Sequence, residues 1–222
     1  MNESPHTPRS TVKRLPQRAV YDVAAIHGIL DEGLVCHVGF SSDNRSFVIP
    51  TIYVRIGERV YLHGSPASRM LQLLAKGGEA SIAVTLVDGL VLARSAFHHS
   101  INYRSVVLFG RGAAVEDESQ KLSVLKALTD HIMPGRWDNV RTPSTEELRR
   151  TLVVVIPIEE ASAKVRVGPP LDDEPDYELP IWAGVLPLKL AAAQPLADPR
   201  LAEGFAPPPY LADYTGPRGV VG

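Results

Sequence analysis

Short apolar runs, each closed by a tight polar turn, constrain this fold more than any other feature. Leu34–Phe40 is followed by Asp43-Asn44, Phe47–Ile56 by Gly57-Glu58, and Arg59–His63 by Gly64-Ser65-Pro66. Runs this short, joined by turns this tight, leave no room for crossover helices, so neighbouring strands return antiparallel. Ala80–Val87 and Leu90–Ala96 flank Asp88-Gly89, a strong hairpin signal. Val106–Val115 is another strand, and Gly110 and Gly112 suggest a bulge or bend in it. Thr151–Ile158 is rich in β-branched residues, and Ala163–Val167 could pair beside it.

Helices are inserted between these strands. Asp22 is placed to cap a helix over 22–32, where Val23, Ile26, Ile29 and Leu30 recur at helical spacing and Gly33 closes it. Ser65-Pro66 opens a second, with Met70, Leu71, Leu73 and Leu74 as its apolar stripe and Gly77-Gly78 as its stop. Glu118–Ile132 is amphipathic, and Glu146–Arg150 is a short helix. Six or seven antiparallel strands with such insertions describe a mainly β, α+β domain built on a small barrel. Residues 1–17 read as a disordered leader, 18–188 as the folded domain, and 189–222, rich in Ala, Pro and Gly, as a loose tail.

Charge and cysteine content narrow the function classes. A net charge of -2 argues against a general nucleic-acid binder, and the densest basic groups, Lys13, Arg14 and Arg18 and the pair Arg149-Arg150, read as solvated. One cysteine, Cys36, allows no intrachain disulfide and points to a reducing, cytoplasmic setting. Its apolar neighbours make it a buried small hydrophobe rather than a nucleophile. The polar start has no secretory h-region, and no apolar stretch approaches the roughly 18 residues a membrane span needs.

Four segments carry possible chemistry. At Tyr61–Arg69, the expected helix start gathers Ser65, Ser68 and Arg69 around unpaired N–H groups, and Gly64 allows close approach. This is a phosphate cradle or an ordinary capped helix. In Phe47–Tyr53, Pro50 cannot donate to a ladder, so its strand lies at an edge or bulge, and free backbone groups there could meet a flat polar ligand. In Ser95–Val106, Arg104 shares a face with Val106 and Leu108 and needs an anionic partner, either a phosphate or a carboxylate from another element. His98-His99 invites a metal reading, but adjacent strand residues rarely converge on one ion. Finally, Lys164 and Arg166 alternate onto one strand face, and Trp182 follows as a stacking partner, an interface anchor or a core residue.

The order of these segments resembles a known family. Arg18–Asp22, Tyr61–Ser65, Thr85–Arg94, Asn102–Val106, Ser162–Arg166 and Trp182–Pro187 are similar to the flavin-nucleotide-binding and nitroimidazole-reductase branch of the pyridoxamine 5'-phosphate oxidase-like proteins. The resemblance covers roughly residues 18–188. It implies a six-stranded split barrel that forms a homodimer and binds FMN at the dimer interface. It implies that Ser65, Ser68 and Arg69 hold the phosphate and that Pro50, Thr51 and Ile52 face the isoalloxazine. Arg104 and Ser105 would complete the site, with Lys164, Arg166 and Trp182 reaching in from the partner chain. His63 resembles the histidine beside the flavin in the nitroimidazole reductases. The C-terminal substrate pattern of the true oxidases is missing, so the vitamin B6 reaction is not expected.

The expectation is therefore an FMN-dependent oxidoreductase acting on a small molecule, with His63 as a proton donor. The flavin would do the redox chemistry while the protein supplies position and charge. The alternatives are a flavin carrier without turnover, or the same fold holding a deazaflavin or haem. For haem, His37, His63, His98 and His99 each compete as axial ligand.

Overall fold

The computed structural model describes residues 5–212 and 214–216. The parts of the leader and tail at 1–4, 213 and 217–222 lie outside them. Eleven strands form two antiparallel sheets. The larger contains β1 (Ala19–Val20), β10 (Glu160–Arg166), β7 (Ser100–Arg111), β6 (Glu79–Leu92), β2 (Val35–Ser42) and β3 (Arg45–Ile52), in that lateral order. A last strand, β11 (Gly184–Pro187), joins β6. The smaller sheet runs β4 (Val54–Ile56), β5 (Arg59–Gly64), β9 (Leu152–Pro157) and β8 (Ala113–Ala114).

Strand alternation explains the packing. Val38 and Phe40 on β2, Ile82 and Val84 on β6, and Val106 and Leu108 on β7 point to one face of the large sheet. They meet Val60, Leu62, Val154 and Ile156 of the small sheet. Helices α1 (Val23–Glu32) and α2 (Arg69–Ala75) close this core through Ile26 and Leu30, and Met70, Leu71 and Leu74. The other face of the small sheet places Tyr61 and Val153 against Val124 and Leu128 of α3 (Glu118–Ile132). Both its faces are covered, which is why β9 reads as an unbroken apolar run. Cys36 is fully buried in the main core, and burial pushes its thiol up to about 12, so it is a packing residue. No helix among the described residues is long and apolar enough to cross a membrane.

Several expectations change. Asp88-Gly89 is not a hairpin turn, because β6 runs straight through it. Asp88 is a bulge residue, marked by a register shift between Val87 and Gly89, and the chain reverses later, around Ala96–His98. Gly89 is needed for close approach: a Cβ there would stand 3.0 Å from the Leu186 carbonyl oxygen of β11. The strand expected at Ala163–Val167 starts at Glu160 and pairs with β7 and β1 rather than beside β9. The expected bend near Gly112 does occur, and there the chain passes from the large sheet to the small one. A Cβ on Gly112 would meet the Leu74 carbonyl oxygen at 2.6 Å.

The described part of the leader lies against the large sheet rather than free of it. Ala161 donates its N–H to the Pro5 carbonyl at 2.8 Å, the Thr7 hydroxyl donates to Glu160 at 2.6 Å, and Arg9 pairs with Glu79. In the tail, residues 189–207 are exposed, and Pro209–Leu211 forms one turn where Arg136 donates to the Tyr210 hydroxyl at 3.0 Å.

Candidate cofactor site

The loop between β5 and α2 gathers most of the expected phosphate ligands. The helix begins later than Ser65-Pro66 suggested. Ser68 is its N-cap, accepting from the Leu71 N–H at 3.4 Å. Ser65 instead folds a turn: its hydroxyl accepts from the Ala67 N–H at 3.1 Å, and its carbonyl accepts from the Ser68 N–H at 2.9 Å. Gln72 reaches back to the Pro66 carbonyl at 2.7 Å. The turn is thus fixed at both ends, and each serine keeps its O–H free to donate. Arg69 leaves the first helical position and lies over Phe47 of β3, 3.9 Å from the ring centre.

His63 is the next-to-last residue of β5, beside this turn. Burial lowers its pKa, so the imidazole is neutral at pH 7. Its buried Nδ1 has no hydrogen-bond partner among the described residues. That is an unsatisfied polar atom at the wall of a cleft of about 580 Å³, lined by His63 to Ala67 on one side and Arg149, Arg150 and Thr151 on the other. A second cleft, of about 460 Å³, lies beyond the loop and is lined by Ser42, Arg69, Gln72, Leu73 and Lys76.

The remaining expected ligands sit on the large sheet. Pro50 lies on β3, the edge strand, as its missing donor required, with His37 opposite it. Thr51 and Ile52 follow, half-buried, toward the end of that strand. Arg104 takes the carboxylate alternative. Its Nε and Nη2 donate to Asp88 at 3.0 and 2.7 Å, and Nη2 also reaches Glu32 at 2.8 Å, while Nη1 pairs with Glu32 as well. These partners raise its pKa further. The Ser105 hydroxyl donates to the Lys164 carbonyl at 3.3 Å, and the Lys164 amine donates to the Arg14 carbonyl at 3.0 Å. Arg166 is buried and holds the following turn through Asn102 and the carbonyls of Gly168 and Pro169. Trp182 is 70% exposed, its ring folded over Gly184.

Within this chain, then, two sets emerge. His63, Ser65, Ser68 and Arg69 share one loop, whereas Arg104, Ser105, Lys164, Arg166 and Trp182 belong to the other end of the large sheet and its extension. Among the described residues no hydrogen bond or ion pair links the two sets.

Two features escaped the sequence reading. Arg149 and Arg150 line the His63 cleft, because β9 pairs with β5, Gly64 opposite Leu152 and His63 opposite Val153. That strand pairing was the missing signal. His99 donates its Nδ1–H to the Ser95 carbonyl at 3.0 Å, which fixes the tautomer and leaves Nε2 as a free lone pair. Near it in sequence and register are Phe97 and a row of exposed apolar residues, Leu186 opposite Leu90 opposite Ile101, across three strands.

Comparison with known proteins bears on this arrangement. The sequence model of the family described as pyridoxamine 5'-phosphate oxidase matches residues 22–165. The chain is similar to the flavocytochrome Anf3 from Azotobacter vinelandii, with 40% identity, a TM-score of 0.88, and coverage of 96% of this chain and 99% of that one. It is also similar to the FAD and heme binding protein from Mycobacterium smegmatis, with 34% identity, a TM-score of 0.86, and coverage of 91% and 100%. No curated protein matches.

Proposed function

This chain belongs to the pyridoxamine 5'-phosphate oxidase family, and on that footing we propose that it is a homodimeric flavin-binding redox protein that also takes a haem. What most supports this is the likeness, over nearly the whole of both chains, to a flavocytochrome at 40% identity. The 34% identical protein described as binding FAD and heme points the same way.

The residues fit a flavin phosphate at the β5–α2 loop. Two hydroxyls with free O–H groups and one guanidinium, held in place over Phe47, are the donors a phosphate needs. The orphaned Nδ1 of His63 offers a hydrogen bond to the same ligand. Pro50, Thr51 and Ile52 line the edge strand along which the ring system would lie. FMN and FAD share this half of the molecule.

The homodimer reading draws on the outer face of the large sheet. One lateral row runs Pro50, His37, Ala83, Val107, Ser162; the leader covers its Ser162 end, where Arg9 lies over Phe109 and Lys164 holds the Arg14 carbonyl, and the rest of the row stays open among the described residues. Val48 is 68%, Val35 44% and Val107 36% exposed on that face. A second copy packed there would bring Lys164, Arg166 and Trp182 toward the partner subunit's flavin.

A haem would be held by an imidazole with a free nitrogen beside an apolar floor. Of the four histidines that compete, His99 alone donates Nδ1–H to a carbonyl and keeps Nε2 free beside an exposed apolar row. His98 is turned toward Asp173 at 3.3 Å. When bound, a flavin exchanges electrons in pairs or singly and a haem singly, so the two together link a two-electron donor to a one-electron acceptor. The protein's part is to position them, to supply positive charge from Lys164 and Arg166, and to hold a neutral imidazole at His63.

An absorbance spectrum of the purified protein, with the released cofactors identified by mass, tests this. Flavin bands with a Soret band are expected. A colourless protein that takes up neither added flavin nor added haem would overturn it.

A further inference from the structure

Arg149 and Arg150 stand at the mouth of the His63 cleft with no carboxylate partner among the described residues. They close α4 (Thr145–Arg149), Arg149 as its last residue and Arg150 as its C-cap, and its start is fixed by a capping box: Ser144 accepts from the Glu147 N–H at 3.2 Å and Glu147 accepts from the Ser144 N–H at 2.8 Å. Its end is fixed by the Thr151 hydroxyl, which donates to the Glu147 carbonyl at 2.8 Å, and by the buried Leu148. Glu147 is already taken by Arg141, which donates to both its oxygens at 2.6 Å. Arg55, Arg94 and Arg104 likewise each have a carboxylate. Arg149 and Arg150 have none among the described residues, and both line the 580 Å³ cleft. Both side chains are exposed at the cleft mouth, where two neighbouring guanidinium groups add up to a positive potential that attracts an anion.

The facing wall supplies complementary donors. Ser65 accepts from Ala67, so its one O–H stands between the two walls and can be given to either of two adjoining phosphoryl groups, and the His63 imidazole is neutral and adds no repulsion toward an anion. Five-donor forks beside a hydroxyl suit a phosphoryl group better than a carboxylate, because three oxygens can be met from both sides. The same Ser65–Ser68 turn has Arg69 on its far side. Two cationic stations therefore flank one turn, and a diphosphate presents two phosphoryl groups joined through one oxygen.

We propose that the cleft between the β5–α2 turn and Arg149-Arg150 takes the second, adenylate-side phosphate of a dinucleotide flavin, and that these two arginines make the protein prefer FAD to FMN. This rests on the flavin reading above and assigns the second phosphate within it.

The test compares FAD and FMN titrations of the flavin-depleted full chain, followed by flavin fluorescence, for the wild type and for R149Q/R150Q. Loss of two charge-assisted contacts should weaken FAD by roughly 10- to 100-fold. FMN affinity should stay within about twofold, which also shows that the variant is folded. The FAD affinity of the wild type should fall with salt more steeply than its FMN affinity, and the two slopes should converge in the variant. Equal losses for both flavins, or no loss for FAD, overturn the assignment while leaving the flavin reading intact. A wild type that binds neither flavin removes the flavin reading itself, and the assignment with it.

Discussion

The guanidinium of Arg69 lies over the ring of Phe47, 3.9 Å from its centre. The contact bridges α2 and the edge strand, so it orders a long side chain before any ligand arrives. Arg69→Ala should weaken both FMN and FAD by roughly 10- to 100-fold, the loss of a charge-assisted phosphate contact. Phe47→Ala should cause a smaller loss, because the charge remains and only its orientation is released. Flavin fluorescence titration reads both. An Arg69→Ala protein with wild-type affinity for both flavins would remove the phosphate assignment.

Arg104 is expected to matter for stability. It joins the bulge at Asp88 to the end of α1 at Glu32, and its side chain is 30% exposed. Arg104→Gln leaves two neighbouring carboxylates without their cation and should cost about 1–3 kcal/mol. Asp88→Asn, which leaves Glu32 as partner, should cost less. Chemical denaturation of both variants checks the order. A larger loss in Asp88→Asn would show that the bulge, rather than the cation, is what Arg104 supports.

These residues also show what the sequence could convey. Pro50 carried its own meaning, since a residue without an N–H belongs on an edge, and β3 is an edge. The helix over Glu118–Ile132 was legible from its period alone. Asp88-Gly89 misled because the same pair that favours a two-residue turn also serves a bulge, and only the long partner β7 and the close pass of β11 decide between them. Arg104 was read as needing an anion, but which anion depended on α1 ending beside it. Arg149-Arg150 looked like a solvated pair because its meaning depends on a strand pairing nearly ninety residues away in sequence. Local rules travelled well, and long-range placement did not.

His63 gives a pH signature. Burial lowers its folded pKa below the ordinary 6.5, so the unfolded chain binds a proton more readily than the folded one as pH falls. The stability that goes with a neutral buried imidazole is complete above about pH 6.5. It is lost as pH drops from there through the folded value. His63→Asn should flatten stability between about pH 7 and pH 5 relative to wild type. Urea midpoints across that range read the difference. Parallel curves for the two proteins would mean that His63 titrates alike in both states.

The open part of the large sheet's outer face, from β3 to Val107, predicts assembly. Val107 stands on β7, fourth of the five strands in the lateral row that runs from Pro50 to Ser162, and it is exposed. Val107→Arg places a charge where a second sheet would pack, at a cost large enough to disfavour the dimer. Light scattering should show a dimer for wild type and a monomer for the variant, with flavin released along with the partner. A monomeric variant that keeps full flavin occupancy would mean the site is complete within one chain.

The last expectation concerns His99. Its Nδ1–H is committed to the Ser95 carbonyl at 3.0 Å, and this bond does two things at once. It selects the tautomer with a lone pair on Nε2, and it fixes the orientation of the ring, both of which favour binding to a haem iron. His98, one residue away, instead faces Asp173. His99→Ala should therefore lose the Soret band and retain flavin, whereas His98→Ala should keep both. Ser95 acts through its backbone, so Ser95→Ala leaves the carbonyl in place and should leave haem occupancy unchanged. The readout is the ratio of Soret to flavin absorbance in each purified variant. If His99→Ala keeps the wild-type ratio and His37→Ala loses it, the ligand lies on the sheet face, and haem would belong to the dimer interface rather than to the β6–β7 turn.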